Sequence, residues 1–432
     1  EMSSIYPLLQ FAAIGTIGDM VPLNPMNLKI VRHGLKQFPQ STYPAIKAFF
    51  KISDFPEATS EFIGFKVAPL INAKGRLEGP EEALNLLKAS SDKEALRLLE
   101  KLKATNEERK QVQNANTIIA RNKVKKHKLQ ERKILVLFHD KFHQGVIGLV
   151  ASTMVRELKR PAIVMTKDEG KVGILKASVR TVGNFDIFGF LNSLNFPFVT
   201  FGGHKKAAGF SIKEEDLEKF QQCVLDASQD LTIETEEVKG ISVACNDLNM
   251  HMAVAQREFE PFGEGNRRPY FRVEGVVSRA QTLKEKHLRI WLDGNHEPMV
   301  IFNYYDNDWE GSKPVDSHIP GRKVSILTTC KLGYYRDTFK LDLLMEELRF
   351  MDEETKQETP PMSKRLESAL AKKNIKDISE LSGKTEGEVM RLLPIGVKTL
   401  KEIVSILKSR GLELKGPPIF TGEQRRVDRS LD

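Results

Sequence analysis

Four patterns of apolar and polar positions divide the chain. Residues 1 to about 85 carry short apolar segments broken by Gly and Pro. From Glu81 to Gln144 neither Gly nor Pro occurs, the centre is densely charged, and Leu96, Leu99 and Leu102 recur at helical spacing. Ser91 followed by Glu94 has the form of a capping box. This pattern predicts long helices linking two lobes and ending before a strand, "KILVLF", Lys133 to Phe138. The third zone, to about residue 228, alternates that strand with a small-residue helix, "GVIGLVASTMVREL", and a second strand, "PAIVMT". Such alternation predicts a mixed α/β sheet. From about Gly240, five or more short strands with turns between them predict a small barrel of the OB type. Its aromatic residues, among them Trp291, Phe302 and Tyr335, exceed what an inner core needs. They suit either base stacking or packing in the core and turns.

Residues 351–362, "MDEETKQETPPM", are polar, acidic and proline-bearing, the composition of a linker. Residues 363–415 read as a compact helical unit with 12 Lys and Arg against 7 Asp and Glu, and Thr385 with Glu388 forms a second capping box. In "LLPIGVKTLKEIV" a Gly turn opens a helix with Lys398 and Lys401 beside it. An outward helix N-terminus of this kind can hold a DNA phosphate; a generic protein-binding helix bundle is the alternative. The tail after Gly416 is expected to be disordered. A length of 432 residues allows two to four domains. The net charge of +8 fits a polyanionic partner without demanding one. The three cysteines lie far apart and build neither a zinc site nor a disulfide framework, as expected of thiols in a reducing cytoplasm. No apolar run reaches the roughly 18 residues of a membrane span, so no membrane partner is expected. The opening "EMSSIYPLLQFAAIGTIGDM" reads as the middle of a domain, and a preceding portion is expected.

Several short motifs carry candidate chemistry. In "AIGTIGDMVPL" Asp19 follows a Gly-rich apolar turn. A carboxylate at the end of a buried strand can bind a metal; a helix cap is the alternative. "GFKVAPLINAKGRLEGPEEAL" places Asn72 and Arg76 in a loop, where Arg76 can fork onto a phosphate or pair with Glu78 or Glu82. In "HDKFHQGVIGLVAS" His143 and Gln144 precede Gly145, where a helix starts, a natural anion site. "KASVRT" puts Ser178 and Arg180 on one face of a strand. In "FGGHKKAAGFSI" Gly202 and Gly203 can take positive φ and offer consecutive N–H groups to a phosphate, with His204, Lys205 and Lys206 beside them. The alternative is a tight turn, with Ala207, Ala208 and Gly209 allowing close packing.

In this order and spacing, GTIGDMVPL, NAKGRL, FHQGVIGLVAS and GGHKKAAG resemble the RecJ family of single-strand-specific exonucleases in the DHH phosphoesterase superfamily, over about residues 8 to 350. "PFGEGNRRPYF", Pro261 to Phe271, resembles that family's entry into its OB domain. The C-terminal unit is similar to the helix–hairpin–helix module that ends the bacterial RNA polymerase α subunit. The resemblance implies an α/β fold: the C-terminal part of a DHH lobe (1–85), connecting helices (86–132), a DHH-associated α/β domain (133–230), an OB-like β-barrel (238–350), the linker and a small helical hairpin domain (363–415). It implies a cytoplasmic 5′-to-3′ exonuclease of recombination and repair that hydrolyses single-stranded DNA with Mn²⁺ or Mg²⁺. A helicase or a single-strand-binding protein is the implied partner. Carried over by motif, Asp19 is the family's last metal-ligating aspartate, and Ser178 and Arg180 hold the 5′ phosphate. Gly202, Gly203 and His204 are the phosphate-facing turn, and Asn72 and Arg76 lie near the substrate path.

The departures matter. No DHH sequence occurs, so Asp19 stands alone among the expected ligands. The catalytic metal centre is expected to be lacking here, with most of its ligands upstream. "KASVRT" has Ala177 and Val179 where the family has smaller residues, and Thr181 in place of Ser. Two other functions compete: a non-catalytic single-stranded-DNA-binding or scaffold protein, and a DHH phosphodiesterase acting on cyclic dinucleotides or short oligonucleotides. The latter enzymes typically stop after the GGH domain, so the OB-like and hairpin regions favour a longer polymer.

Overall fold

The structure, a computed structural model, describes residues 5–53, 56–77, 79–233, 238–306, 313–351, 362–373, 375, 378–409 and 414–415. It divides into two compact units, 1–349 and 350–432. The prolines that break the first zone stand at helix starts. Helices α1 (Leu9–Gly18), α2 (Pro25–Lys36) and α3 (Pro44–Phe50) follow one another. Pro25 and Pro44 occupy first helical positions, where a missing N–H costs nothing. Asn24 caps α2 by accepting from the N–H groups of Met26 and Asn27. A helical turn, Ser60–Phe62, widens to π geometry over Ile63–Val67 and continues as α4 (Ala68–Leu77); α5 (Glu81–Leu87) comes next.

Two expectations are corrected here. Asn72 and Arg76 are not in a loop but share one face of α4. Gly75 costs that helix about 1 kcal/mol, which the burial of Ala68, Leu70 and Ala73 outweighs. Asp19 ends no strand: it is the C-cap residue of α1, exposed, with its N–H bonded to Gly15 O.

The long charged stretch is one helix of 35 residues, α6 (Asp92–Lys126). Ser91 accepts from Glu94 N–H, while the Glu94 carboxylate reaches the N–H of Ser90 rather than Ser91, so the box closes one residue early. The two ends of α6 belong to different cores. Leu98, Leu99 and Leu102 pack with Phe38, Ile46, Phe49 and Leu86. Ala120 and Val124 pack with Leu135, Leu137, Val150 and Met154. Between them the buried residues of α6 turn polar: Thr105, Asn106, Asn116 and Thr117.

Beyond α6 lies a mixed sheet. Strands β1 (Leu135–Phe138), β2 (Ala162–Lys167), β3 (Ile174–Arg180), β4 (Thr200–His204) and β5 (Ala207–Lys213) take the order β1-β2-β3-β5-β4. Only β1 and β2 pair in parallel, joined by α7 (Ile147–Leu158). Helices α8 (Ile187–Ser193) and α9 (Leu217–Ser228) supply the other side, where Leu191, Phe220 and Val224 meet Leu175, Ala177, Val179 and Phe210. Arg121 of α6 forks onto the buried Glu157 of α7 (2.5 and 3.1 Å), which ties the helix to this domain.

The second sheet begins with β6 (Ile241–Ser242), and helix α10 (Met250–Ala255) packs on it through β10. Strands β7 (Phe271–Leu283), β8 (His287–Leu292), β9 (Met299–Ile301), β10 (Lys323–Tyr335) and β11 (Thr338–Phe350) close into a five-stranded barrel. Closure comes from the β10–β7 pairing, and β6 adds outside β7. Closure leaves no open edge among those five strands. The segment leading into the barrel folds back on the first helices. Arg32 donates to the carbonyl of Glu260 (2.6 Å), Leu23 N–H donates to the carbonyl of Glu264 (2.7 Å), and Glu61 pairs with Arg268 and Lys331.

In the second unit, α11 (Lys364–Ala371), α12 (Glu386–Leu392) and α13 (Val397–Ser409) enclose Leu366, Leu381, Val389, Leu400 and Ile403. The Thr385–Glu388 capping box is complete. Lys401 is exposed on α13; the Lys398 side chain, most of the acidic segment before the unit, and the tail from residue 416 lie outside the described residues. Among the described residues no helix is long and apolar enough to cross a membrane.

Candidate nucleic-acid interface

Strand β3 alternates strictly. Leu175, Ala177 and Val179 enter the core with α9, so Ser178 and Arg180 face the opposite side. Cross-strand register extends that face over β5 and β4: Ser178 lies opposite Gly209, and Gly209 opposite Gly202. The next row on the same face is Arg180, Ala207 and His204. Gly202 has nothing within 4 Å of where a side chain would begin. The two rows therefore form a shelf of bare backbone with Ser178, Arg180 and the exposed His204 around it.

The glycine pair differs from expectation. Gly202 and Gly203 lie within edge strand β4, and the two-residue connection to β5 is Lys205-Lys206. Both residues pair with β5 in the ladder, so the glycine pair is not itself the turn. Gly203 is required all the same: its φ is +147°, and a Cβ would stand 2.5 Å from the Ala207 carbonyl oxygen.

The start of α7 closes one side of the shelf. A Cβ on Gly148 would lie 2.9 Å from Ser178 Oγ and 3.1 Å from an Arg180 Nη, so the absence of a side chain lets both groups sit against the helix's first turn. Val146, the N-cap, supplies no side-chain acceptor; Leu149 N–H donates to the Val146 carbonyl, which leaves the N–H groups of Ile147 and Gly148 to face an anion. His143 is fixed just before it. Its N–H donates to Asn116 Oδ1 (2.8 Å), and its Nδ1 accepts from Gly145 N–H (3.1 Å). That bond leaves Nε2 as the protonated, donating nitrogen.

Helix α4 reaches the same place. A Cβ on Gly145 would lie 1.8 Å from the Arg76 carbonyl oxygen, so the end of α4 rests directly on the His143–Gly145 turn. Arg76 does not take up the pairing expected with Glu82, which binds Lys74 and Lys101 instead; Glu78 lies outside the described residues. Arg180 bonds Ser178 Oγ and the carbonyl of Val179. A third guanidinium, Arg109 of α6, is held by Asn106 Oδ1 and Gln113 Oε1. Among the described residues none of the three arginines forms an ion pair. Burial lowers the pKa of all three, and the charge of Arg76 lowers those of Arg109 and Arg180 further. Three partly buried like charges from α4, α6 and β3 make a strong anion field. Of this set, Arg109, Asn116 and Gly148 were not singled out from the sequence. The amides and Arg109 recur on one face of α6, a spacing hidden by the surrounding surface charge.

Asp19 and Asn72 lie with Arg76 on an adjoining groove of ≈ 600 Å³, lined also by Met20, Ile71 and Leu84. Among the described residues no three His, Cys, Asp or Glu side chains converge to hold a metal ion. A single exposed carboxylate does not supply the several oxygen ligands that Mg²⁺ or Mn²⁺ requires. The residues present do not by themselves fit the implied cation.

Comparison with known proteins agrees with the domain structure. Residues 131–229 match the DHHA1 domain and residues 241–347 the RecJ OB domain. The single-stranded-DNA-specific exonuclease RecJ of Bacillus subtilis (strain 168) is 30% identical over 351 residues, 79% of this chain and 44% of that protein. RecJ of Thermus thermophilus is 30% identical over 304 residues, 68% of this chain and 43% of that protein. The crystal structure of Thermus thermophilus RecJ in complex with Mg²⁺ matches with a TM-score of 0.65 at 25% identity, covering 80% of this chain and 52% of that one. Its complex with Mn²⁺ shares the fold, with a TM-score of 0.66 at 23% identity, covering 95% and 58%. The chain spans about half the length of these relatives. It is similar to the RecJ exonucleases over that span and carries a DHHA1 domain and a RecJ OB domain.

Proposed function

We propose that this chain holds single-stranded DNA for 5′-to-3′ exonucleolytic cleavage, with a terminal 5′ phosphate between Ser178, Arg180 and the first turn of α7. The observation that carries this reading is the convergence of Arg76 and Arg180, without carboxylate partners among the described residues, on a helix N-terminus and a bare glycine shelf. A phosphate there receives charge-assisted hydrogen bonds from a guanidinium fork and lies on a helix dipole of favourable sign. His143 can donate from Nε2 to a phosphate oxygen, and Gly209 and Gly202 let the strand approach the sheet. Asp19, Asn72 and Arg76 line the continuing groove. Divalent metal, present in the compared RecJ crystals, supplies water activation and charge stabilisation in such hydrolysis. One carboxylate does not make its site. The chain's own residues bind and orient the strand.

The same reading gives a role in repair and recombination in the cytoplasm, beside a helicase or a single-strand-binding protein. It also favours a polymeric substrate over a cyclic dinucleotide, since the barrel extends the binding surface beyond the DHHA1 sheet. Fluorescence anisotropy tests this with 5′-phosphorylated and 5′-hydroxyl oligodeoxynucleotides and a cyclic dinucleotide as competitor. Preferential binding of the 5′-phosphorylated strand is expected. Preference for the cyclic dinucleotide would overturn the reading. Mononucleotide release with Mn²⁺, abolished by Asp19→Ala, would place cleavage as well as binding in this chain.

A further inference from the structure

We propose that Arg109 of α6 is a strand-binding residue that takes an internal backbone phosphate, the one following the terminal phosphate held at Ser178 and Arg180. The inference rests on the reading above and extends it to the connecting helix. Arg109 is oriented but not neutralised. Its Nε and one Nη donate to Asn106 Oδ1 (3.2 and 2.9 Å), and the other Nη donates to Gln113 Oε1 (2.7 Å). Amide oxygens fix the plane of the fork without cancelling its charge, and each Nη keeps a second N–H for an acceptor. The carboxylate that acts on it, Glu107, is engaged with Lys110 (2.6 Å).

Arg109 also has a purely structural role to be weighed, as a brace between Asn106 and Gln113. Two observations favour an anion. First, the buried face of α6 is polar only here, between its two apolar ends. Asn116, two turns beyond Arg109 on that face, holds the His143 turn. The stripe therefore faces the cleft in which the other phosphate-binding groups stand. Second, the charge of Arg76 acts on both Arg109 and Arg180, so the three groups share one field. Three neighbouring guanidinium groups repel one another when empty, and a polyanion satisfies more of them than one terminal phosphate does. A braced structural arginine gains nothing from such neighbours.

The test compares Arg109→Ala, Arg109→Lys and Arg180→Ala with the unaltered chain, by anisotropy across a salt series on 5′-phosphorylated and 5′-hydroxyl oligodeoxynucleotides. Arg109→Ala should weaken both substrates about equally, by roughly tenfold, and reduce the salt slope by ~0.7, the value of one phosphate contact on a single strand. Arg109→Lys should restore the slope while losing part of the affinity, because the charge remains without the fork. Unchanged affinity and slope in Arg109→Ala would overturn the inference, as would a loss confined to the 5′-phosphorylated strand. If Arg109→Ala lowers the thermal midpoint, the slope of Arg109→Lys decides, since a mere brace would not restore it. Absence of salt-dependent binding in the unaltered chain would instead overturn the underlying reading of the site.

Discussion

Gly145→Ala is the most direct probe of how the lobes are joined. The new methyl would stand 1.8 Å from the Arg76 carbonyl oxygen and 3.2 Å from His143 Cε1. The first contact is with backbone, so no side-chain rotation relieves it. Either the end of α4 or the start of α7 must retreat by more than an ångström. Overpacking of this kind costs ~1–3 kcal/mol, and a shift of ~1 Å in a positioned group can cost ~100-fold in function. Arg76 then moves relative to Arg109 and Arg180. The expected result is a lowered thermal midpoint of the 1–349 unit together with a weakening of 5′-phosphorylated DNA binding of ~10-fold or more. Gly202→Ala is the control, since nothing lies within 4 Å of its added methyl; its stability should stay within ~0.5 kcal/mol of the parent. The assays are differential scanning fluorimetry and oligonucleotide anisotropy on purified variants. If Gly145→Ala melts and binds like the parent, the packing of α4 on the His143 turn does not set the position of Arg76, and the reasoning fails.

Other outcomes follow from single groups. Arg180→Ala should abolish the preference for a 5′-phosphorylated over a 5′-hydroxyl strand; an equal loss on both would remove it from the terminal site. Cys330 is fully buried, its thiol donates to the Asn249 carbonyl, and burial raises its pKa from 9.0 to about 11. Between those values the unfolded thiol has lost its proton and the folded one keeps it, so stability should fall as pH rises through that window, by ~1.4 kcal/mol per unit. The alkaline limb of the thermal midpoint against pH should flatten in Cys330→Ala. Thr385→Ala removes the hydroxyl that accepts from Glu388 N–H and donates to its carboxylate, leaving only the backbone half of the capping box on α12, and should cost the C-terminal unit ~0.5–2 kcal/mol, read from its melting transition.

The elements that the sequence made plain are those whose local signals and tertiary role agree. Helix α6 carries a Ser91 cap, no breaker and regular leucines, and β3 alternates because one face is core. Where the two disagreed, the reading went astray. Gly75 and Asn72 argue against a helix by propensity, yet α4 forms because Leu70 and Ala73 bury against α1 and α6. The prolines of the first zone looked like breaks because Pro at a helix's first position and Pro in a loop are identical on paper. The Gly202-Gly203 pair suggests a turn, whereas it lies in an edge strand where a side chain at Gly203 would collide with β5. Ser178, Arg180, His143 and Arg76 were singled out as phosphate-binding types, but their meeting point depends on Gly145 and Gly148. What those glycines leave room for is visible only in three dimensions.

The position of Arg109 and of the His143 turn is a consequence of how α6 is built. Its apolar ends are each locked into a different core, by Leu98–Leu102 on one side and by Ala120 and Val124 on the other. From Leu102 to Ala120 a helix rises about 27 Å, and over that span no core needs apolar residues. Buried polar side chains are tolerated there only if their groups are satisfied. Asn106 and Asn116 meet that demand by binding Arg109 and the His143 turn. The helix is therefore both the strut that sets the width of the cleft and part of its wall. Arg76 and Arg180 come from opposite lobes and repel each other across it, and the packing of α4 on the His143 turn holds Arg76 in place against that repulsion. An anion bound between them would replace that repulsion with two attractions.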